Sequence, residues 1–239
     1  PQLRPEDIGD VIMGCAMPFG VQGGNMARLI VQRAGLPDCV TAQTVNRYCS
    51  SGLQTIATAA NAIRCGEEDV VIAGGVESMS LVPMLVGAED ADPWLAEHRP
   101  EVYTTMGITA ENVARQWGIS RADMDAMAVE SHRRAAQAQA GGCFDGQIIP
   151  ITVPGPDGGE VVVCRDEGIR PGTTAETLAG LKPCFLENGS VTAATSSQMT
   201  DGAGFVVLMS EEKAAELGVK PLARFVSFAT GGVPAEVMG

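Results

Sequence analysis

Short apolar runs alternate with segments of helical periodicity over the first 80 residues. Three runs predict strands and lie at residues 10–14, 41–45 and 69–73, and the first and third of them are apolar, as is typical of buried strands. Between them, residues 27–33 and 50–64 carry apolar side chains at helical spacing, and Asn25 is a candidate cap for the first helix. Strand, helix and strand with short connections predict a parallel α/β unit with a right-handed crossover.

The helix predicted over residues 50–64 consists mainly of small and apolar residues. Its apolar and small positions are Leu53, Ile56, Ala57, Ala59, Ala60, Ala62 and Ile63. A helix with so few charges is expected to be buried on several sides. After the third run, Gly74 and Gly75 predict a tight strand exit, because the sequence there lacks both a Gly-x-Gly-x-x-Gly pattern and a P-loop lysine.

Beyond residue 79 the pattern is less regular. Residues 81–99 predict a loop. Further along, residues 148–153 and 160–164 predict the two strands of a hairpin, joined by a Pro-Gly-Pro-Asp-Gly-Gly turn at residues 154–159. The predicted helices lie at residues 109–117, 121–139 with a Ser120–Asp123 capping box, and 211–217 before Gly218. The further predicted strands lie at residues 191–195, 205–209 and 222–229.

Composition and charge narrow the class of protein. The chain has 239 residues, a hydrophobic fraction of 45% and a formal net charge of −13. Because such an acidic surface repels phosphate backbones and anionic lipids, we expect the protein to bind neither nucleic acid nor a membrane surface. No apolar run approaches the roughly 20 residues of a spanning helix, and residues 1–4 show no signal-peptide pattern. We expect a soluble intracellular protein, and the missing initial Met predicts a processed chain or a piece of a longer protein.

Seven cysteines and two histidines limit the candidate chemistry. The cysteines form no Cys-x-x-Cys pair, and the histidines are His98 and His132. An odd number of widely spaced cysteines argues against a disulfide framework, and the set offers no zinc site. The cysteines are therefore expected to be small buried hydrophobes, or one of them to be reactive.

Cys49 is the candidate for a reactive thiol. It follows a predicted strand and stands one residue ahead of a predicted helix. Free N–H groups and the helix dipole at such a place stabilise a thiolate, which is the nucleophilic form of cysteine. Gly52 in the first turn lets a ligand or a neighbouring backbone approach closely. The alternative is that Cys49 only packs in the core.

Two nucleophile motifs do not fit these residues. A nucleophile elbow needs glycines two residues before and after the nucleophile, where this sequence has Arg47 and Ser51. A cysteine-protease arrangement needs a histidine partner. His132 lies in a helix patterned as solvent-facing and His98 in a polar loop, so both are predicted to be surface histidines. The residues alone give a nucleophile without a base.

Ordered blocks around and after Cys49 resemble those of the thiolase family. The nucleophile block is Asn46-Arg47-Tyr48-Cys49-Ser50-Ser51-Gly52, and the next is Gly74-Gly75-Val76-Glu77-Ser78-Met79. Further matching blocks lie at residues 106–112, 169–171, 181–183, 191–193 with Ser197, 201–203, 232–234 and 238–239. The resemblance spans essentially the whole chain.

The resemblance implies an acyltransferase that cleaves 3-ketoacyl-CoA. Cys49 would hold the acyl group as a thioester, acetyl-CoA would leave, and a second CoA would collect the shortened chain. Its own backbone N–H would help to stabilise the oxyanion. Coenzyme A is then a substrate, and neither a separate cofactor nor a metal is implied.

The same resemblance assigns the binding residues. Met106 matches a residue that lines the acyl pocket, Arg170 one near the CoA nucleotide, and Ser197 one near the pantetheine. Phe185 and Ala193 also match positions around CoA, with a plain core position as the alternative for both. An acidic protein needs local positive charge to bind a polyanion. Arg170 is therefore the stronger candidate for binding the CoA phosphates, and Lys182 is a further candidate.

The implied fold is α/β, with a layered α-β-α thiolase core whose first repeat is incomplete and an inserted α+β loop domain. Residues 1–79 and 200–214 would form the core, residues 80–199 the loop domain that covers CoA, and residues 215–239 the truncated start of the second core repeat. The family's Asn-Glu-Ala-Phe block, Gly-His-Pro block and second glycine-flanked cysteine do not occur in these residues. The 239-residue chain alone is therefore expected to lack turnover.

Several alternatives stay open. The block around Cys49, residues 169–171 and the short stretch 81–103 favour a degradative thiolase of fatty acid β-oxidation over a biosynthetic acetoacetyl-CoA thiolase. The blocks after Met79 disfavour a condensing ketoacyl synthase, and Cys49 itself disfavours a non-catalytic lipid carrier or scaffold. The family implies a homodimer or homotetramer that binds acyl-CoA and CoA, in the bacterial cytoplasm or an organelle matrix.

Overall fold

A computed structural model describes residues 3–84 and 90–238 and divides into two compact units. The first comprises residues 1–85 and 199–231, and the second residues 86–198 and 232–239. The strands are β1 (Asp10–Gly14), β2 (Thr41–Val45), β3 (Val70–Glu77), β4 (Ile151–Pro154), β5 (Glu160–Val163) and β6 (Gly202–Met209). The α-helices are α1 (Met26–Arg33), α2 (Ser51–Arg64), α3 (Pro93–His98), α4 (Met106–Trp117), α5 (Arg121–Ala140), α6 (Ala175–Ala179) and α7 (Glu211–Leu217).

The first unit is built on a four-stranded sheet in the order β2-β1-β3-β6. β1 pairs in parallel with both β2 and β3, and β6 runs antiparallel beside β3. Because α1 and α2 connect the three parallel strands, the predicted parallel α/β unit is confirmed. The carboxyl ends of the parallel strands meet at one edge of the sheet, where Gly14 of β1 pairs with Val45 of β2 and Gly75 of β3.

Side chains of β1 alternate between two apolar clusters, one on each face of the sheet. Val11 and Met13 pack with Ala27 and Val31 of α1, whereas Ile12 packs with residues of α2. Successive strand residues point to opposite faces, so the sheet lies between helices in an α-β-α arrangement. This confirms the predicted α/β class.

Helix α2 is buried as its small side chains predicted. Its buried residues are Ser51, Thr55, Ala57, Ala59 and Ala60. Leu53 differs from its prediction as an apolar contact position, because 57% of it is exposed.

The second unit contains the two long helices α4 and α5. α5 begins with the predicted capping box, in which Ser120 and Asp123 bond each other's backbone N–H groups. β4 and β5 pair antiparallel and confirm the predicted hairpin. The guanidinium of Arg121 bonds the carboxylate of Asp125 at 2.8 Å and the carbonyl of Leu178 at 2.7 Å, which ties α6 to α5. In the described ranges, no helix is long and apolar enough to cross a membrane.

Two predictions for the first unit are wrong. Gly74 and Gly75 do not end the third strand but lie inside β3, because β6 pairs with this strand from Val70 to Glu77. Residues 222–229 form no strand. No strand of the described chain pairs with them, and the carbonyls of Phe225 and Val226 accept hydrogen bonds from Arg64 instead.

Two predictions for the second unit also need correction. The predicted loop over residues 81–99 contains α3, whose N-cap Asp92 accepts a hydrogen bond from the Leu95 N–H; residues 85–89 lie outside the described chain. Residues 191–195 form no strand, and Ala193–Thr195 form a 3-10 turn instead. The Thr192 N–H donates to the Thr195 hydroxyl at 3.0 Å, and the Thr195 N–H donates to the Thr192 carbonyl at 3.1 Å.

Candidate active site

Cys49 lies in the turn that joins β2 to α2. Its side chain is exposed, which argues against simple packing in the core. Cys15 is the buried cysteine, and burial raises the pKa of its thiol, with the nearby charge of Glu77 adding to this rise. Cys15 is therefore held as the neutral thiol and does not compete with Cys49 as a nucleophile.

The backbone directly before Cys49 adopts a costly conformation. Tyr48 has a φ of +45° and, among the residues described, is the one non-glycine residue with a positive φ. Such a conformation costs about 1–3 kcal/mol and persists only where surrounding contacts impose it. Here the N–H of Tyr48 donates to Asn46 Oδ1 at 2.7 Å, and its carbonyl accepts from the Ser51 hydroxyl at 2.5 Å. Because strained backbone clusters at active sites, this turn is the strongest site candidate in the first unit.

The start of α2 has no side-chain cap. Ser50 occupies the N-cap position, but its hydroxyl donates to the carbonyl of Arg47 at 3.0 Å and accepts no hydrogen bond from the helix N–H groups. Asn46 anchors the turn from the other side by donating to the Ala16 carbonyl at 3.0 Å. The partial positive charge of the helix start is therefore left for an anion at Cys49.

Helix α2 begins directly on the backbone of the sheet. A Cβ atom at Gly14 would lie 2.5 Å from the carbonyl carbon of Ser51, and one at Gly75 would lie 3.2 Å from Gly52 Cα. Only glycine permits such an approach at Gly14. The hydroxyl of the buried Thr55 reaches the Gly74 carbonyl at 2.9 Å and fixes the helix to β3. These contacts set the position of the turn that carries Cys49.

Glu77, at the end of β3, holds a loop at the same edge of the sheet. Its carboxylate accepts hydrogen bonds from the Ala16 N–H at 2.7 Å and from the side chain of Gln22 at 2.8 Å. Gln22 in turn accepts from the N–H of Ser78. The local sequence pattern assigned no role to Glu77. The available signal was a carboxylate at the end of a buried parallel strand.

In the second unit, Phe185 lies beside the start of α4, the helix that begins at Met106. Met106 is the first residue of α4, and the ring of Phe185 lies against the next residue, Gly107, where a Cβ atom would be 2.2 Å from the ring. Met106 is 42% exposed and Phe185 is 43% exposed. The alternative of a core position therefore does not describe Phe185 in this unit.

Glu111 of α4 anchors the segment that follows Phe185. Its carboxylate is nearly buried and accepts the N–H groups of Ser190 and Val191 and the Ser190 hydroxyl, each at 2.8 Å. Burial raises the pKa of Glu111, but these hydrogen bonds outweigh burial and bring the pKa below its ordinary value. An ionised carboxylate thus holds residues 189–191 against α4.

Ala193 and Ser197 lie further along the same segment. Both are exposed, and the 3-10 turn that Ala193 begins contacts α5. Within the described residues, the Ser197 hydroxyl donates only to the carbonyl of Gln198, at 3.4 Å. So long a bond is weak, which leaves the hydroxyl available to a ligand.

Arg170 lies in the loop between β5 and α6. Its backbone N–H donates to Nδ1 of His132 on α5 at 3.2 Å. Arg121, Arg133 and Arg134 of the same unit are engaged by carboxylates. In contrast, three cations of this unit bond no side chain or carbonyl within the described chain: Arg165, Arg170 and Lys182. All three lie within residues 165–182, which also contain Asp166, Glu167 and Glu176, so an anionic ligand would be bound by the individual cationic side chains and not by a net positive charge of the segment.

Comparison with known proteins decides the family. The family model "Thiolase, N-terminal domain" matches residues 1–212. The chain belongs to the thiolase family.

Named thiolase relatives cover nearly the whole chain. It is 53% identical to the 3-ketoacyl-CoA thiolase of Bacillus subtilis (strain 168) over 98% of its length, and the match covers 62% of that protein. It is 43% identical to the acetyl-CoA acetyltransferase of Cupriavidus necator, over 99% of the chain and 63% of that protein. The crystal structure of the Bacillus anthracis acetyl-CoA acetyltransferase matches with a TM-score of 0.83 and 41% identity, over 99% of this chain and 62% of that one. The chain therefore spans less than two thirds of the length of these relatives.

The residues predicted from the thiolase resemblance are divided between the two units. Cys49 belongs to the first unit, and Met106, Arg170, Phe185, Ala193 and Ser197 belong to the second. The predicted surface histidines differ from each other. His98 is exposed on α3 and stacks on Trp94 with ring centroids 4.5 Å apart, whereas His132 is half-buried and bonded to Arg170. No pattern in the sequence of this thiolase chain predicts that contact.

Proposed function

We propose that this chain carries the acyl-accepting thiol and the CoA-recognition residues of an acetyl-CoA acyltransferase that cleaves 3-ketoacyl-CoA. The observation that carries the proposal is the exposed Cys49, next to the strained Tyr48, at the uncapped start of α2. A thiol in this environment has the exposure and the neighbouring positive dipole of a nucleophile. The family membership gives this nucleophile its substrate class.

In the proposed cleavage, the thiolate of Cys49 attacks the C3 carbonyl of a 3-ketoacyl-CoA. A C–S bond forms to C3 and the bond between C2 and C3 breaks. Its electron pair stays with C2, which takes up a proton and leaves as acetyl-CoA. The thiolate of a second CoA then attacks the thioester, and Cys49 departs as thiolate. The covalent intermediate divides one difficult C–C cleavage into two easier steps, and peptide N–H groups at the helix start are suited to stabilise the oxyanion.

The proton transfers need groups outside the matched blocks. In the family pattern a histidine activates the nucleophile and a second cysteine moves the substrate proton, and these 239 residues contain neither block. We therefore propose that the 239-residue polypeptide does not turn over by itself. Detectable CoA-dependent cleavage of acetoacetyl-CoA by this polypeptide would contradict that part of the proposal.

The second unit is proposed to bind CoA as a substrate. The guanidinium of Arg170 is suited to the nucleotide phosphates, because it has no partner among residues 3–84 and 90–238 and so gives up no bond to them on binding. Ser197 has a hydroxyl for the pantetheine, while Met106 at the start of α4 and Phe185 offer exposed apolar surface to the acyl chain. Ala193 is exposed at the start of the 3-10 turn that lies between the Glu111-bonded residues 190–191 and Ser197.

A degradative role is favoured over a biosynthetic one. The 53% identity to a 3-ketoacyl-CoA thiolase exceeds the 43% identity to an acetyl-CoA acetyltransferase. The second candidate is a biosynthetic acetoacetyl-CoA thiolase, which the 0.83 TM-score to an acetyl-CoA acetyltransferase supports. Rates of the full-length protein on four-carbon and on longer 3-ketoacyl-CoA substrates distinguish the degradative from the biosynthetic thiolase. Activity on the four-carbon substrate alone would contradict the degradative role. Assembly into a homodimer or homotetramer stays a prediction from the family.

Acyl transfer to Cys49 is tested with acetyl-CoA and the full-length protein that the gene encodes. We expect one CoA released per thiol and an acetyl thioester that peptide mass spectrometry locates on Cys49. Cys49→Ala should abolish the adduct, whereas Cys65→Ala, which changes an exposed thiol at the other end of α2, should retain it. Binding of acetyl-CoA without any adduct would overturn the proposal in favour of a non-catalytic carrier.

A further inference from the structure

Two side chains of α5 hold the loop that carries Arg170. Nδ1 of His132 accepts the N–H of Arg170 at 3.2 Å, and the amide of Gln139 donates to the carbonyl of Asp166 at 3.2 Å. His132 and Gln139 are seven positions apart, which places them two turns apart on one face of the helix. The loop is therefore tied to one rigid face of α5 at two points.

The backbone of Arg170 is fixed on both sides of its Cα atom. Its N–H is held by His132, and its carbonyl accepts the N–H of Thr173 at 3.2 Å and the Thr173 hydroxyl at 2.8 Å. The guanidinium, in contrast, bonds nothing within the described part of this unit. Arg170 thus combines a fixed backbone with a side chain that is available to a ligand.

The contact with His132 defines the form of its ring. A backbone amide can only donate a hydrogen bond, so Nδ1 must be the acceptor and the ring proton must sit on Nε2. The ring is half-buried. Among the described residues, the Arg170 backbone is bonded by Thr173 within the loop and by His132 from outside it. Loss of the acceptor would leave the Arg170 N–H without this partner and free the loop between Asp166 and Thr173.

We propose that His132 is a positioning residue for CoA recognition. By accepting the Arg170 N–H, it holds the free guanidinium where the nucleotide phosphates of CoA bind. The inference rests on the proposed function, and it assigns His132 no contact with the ligand itself. Without the bond, the loop must be ordered again each time CoA binds, and that ordering reduces affinity.

The test separates the two ends of CoA. Acetylation of Cys49 in the full-length protein is followed as thiol release, with acetyl-CoA and with acetyl-pantetheine, which lacks the nucleotide. For His132→Leu we expect the half-saturating concentration of acetyl-CoA to rise about two- to tenfold, the range of one lost hydrogen bond. The maximal rate, and both constants for acetyl-pantetheine, should stay unchanged. His132→Asn keeps an acceptor near the place of Nδ1 and should stay within twofold of the unsubstituted protein for both donors.

Gln137→Leu is the matched control, because Gln137 lies on the same helix and bonds Arg133 rather than the loop. Gln137→Leu should leave the half-saturating concentrations of acetyl-CoA and of acetyl-pantetheine unchanged. If His132→Leu does not fold, His132→Gln, whose acceptor lies one bond further out, should give the same selective effect.

Three results would overturn the inference: an equal effect on both donors, no effect on either, or a His132→Asn variant that behaves like His132→Leu. Failure of the unsubstituted protein to become acetylated would instead refute the proposed function, and the inference with it.

Discussion

Cys49 and Cys65 lie beside opposite ends of the same helix. Cys49 precedes Ser51, the first residue of α2, by two positions, and Cys65 is the C-cap residue. Both thiols are exposed. The aligned peptide dipoles of α2 place partial positive charge near Cys49 and partial negative charge near Cys65. The pair therefore isolates the effect of the helix end on thiol chemistry.

We expect iodoacetamide to alkylate Cys49 faster than Cys65 in the folded protein. The dipole contributes about 0.3–1 kcal/mol at each helix end, which corresponds to roughly a 3- to 30-fold difference between the two alkylation rates. The two rates are measured by peptide mass spectrometry under limiting reagent. In urea, where the helix is lost, the ratio should fall to about one. Equal rates in the folded protein would refute the role of the helix start.

Gly14→Ala should displace the start of α2. The new Cβ atom would lie 2.5 Å from the carbonyl carbon of Ser51, and a backbone atom cannot move aside cheaply. We expect the free energy of unfolding to fall by about 1–3 kcal/mol, and the alkylation rate of Cys49 to fall with it. Urea unfolding curves and the labelling assay measure both effects.

Gly204→Ala is the control for this change. Gly204 pairs with Gly75 across β3 and β6, and a Cβ atom there would have nothing within 4 Å. Its unfolding free energy should stay within about 0.5 kcal/mol of the unsubstituted protein. If Gly14→Ala were equally mild, the close approach of α2 to β1 would not be needed to position the turn.

The sequence predicted correctly those helices and strands whose start and end are set by neighbouring residues. β2 and α7 match the predicted residues 41–45 and 211–217 at both ends. For α7, the capping residue Ser210 and the terminating Gly218 are both present in the segment itself. The errors occur where a distant partner decides. Gly74 and Gly75 extend β3 because β6 pairs with them, and residues 222–229 stay irregular because no described strand does.

The candidate site shows the same division. The position of Cys49 between a strand and a small-residue helix was predictable from the local sequence. The strain at Tyr48 and the Glu77 network depend on contacts between chain segments that are far apart in sequence. The bond between His132 and Arg170 joins a helix to a loop beyond an intervening hairpin, and no periodic pattern encodes it. Such residues become visible only when the backbone path is known.

Glu111→Gln should destabilise the second unit in a pH-dependent manner. The folded-state pKa of Glu111 is below its ordinary value of 4.5. Its stabilisation is therefore complete above that value and is lost as the pH falls through the lower folded pKa. We expect the substitution to cost about 1–3 kcal/mol at neutral pH, because two backbone N–H groups lose an ionised acceptor. Urea unfolding between pH 7 and pH 3 should show the difference shrinking in acid.

Glu187→Gln provides the comparison for Glu111. Glu187 lies in the same segment, but its side chain is exposed, so its substitution should change stability by less than about 0.5 kcal/mol at each pH. A Glu111→Gln effect that is constant over the whole range would show that the charge of the carboxylate is not what holds Ser190 and Val191.

Arg170→Gln should weaken CoA binding more than Arg134→Gln does. Both substitutions lower the net charge by one unit, but Arg134 is held by Glu130 at 2.6 Å, whereas Arg170 has a free guanidinium. If local charge attracts the phosphates, Arg170→Gln should raise the half-saturating concentration of acetyl-CoA by about three- to tenfold at low salt. The screening length falls from about 10 Å at 0.1 M to about 3 Å at 1 M salt, so the difference between the two variants should narrow as salt is added. Equal weakening by both substitutions would mean that the overall field of the acidic protein, and not the position of Arg170, governs CoA binding.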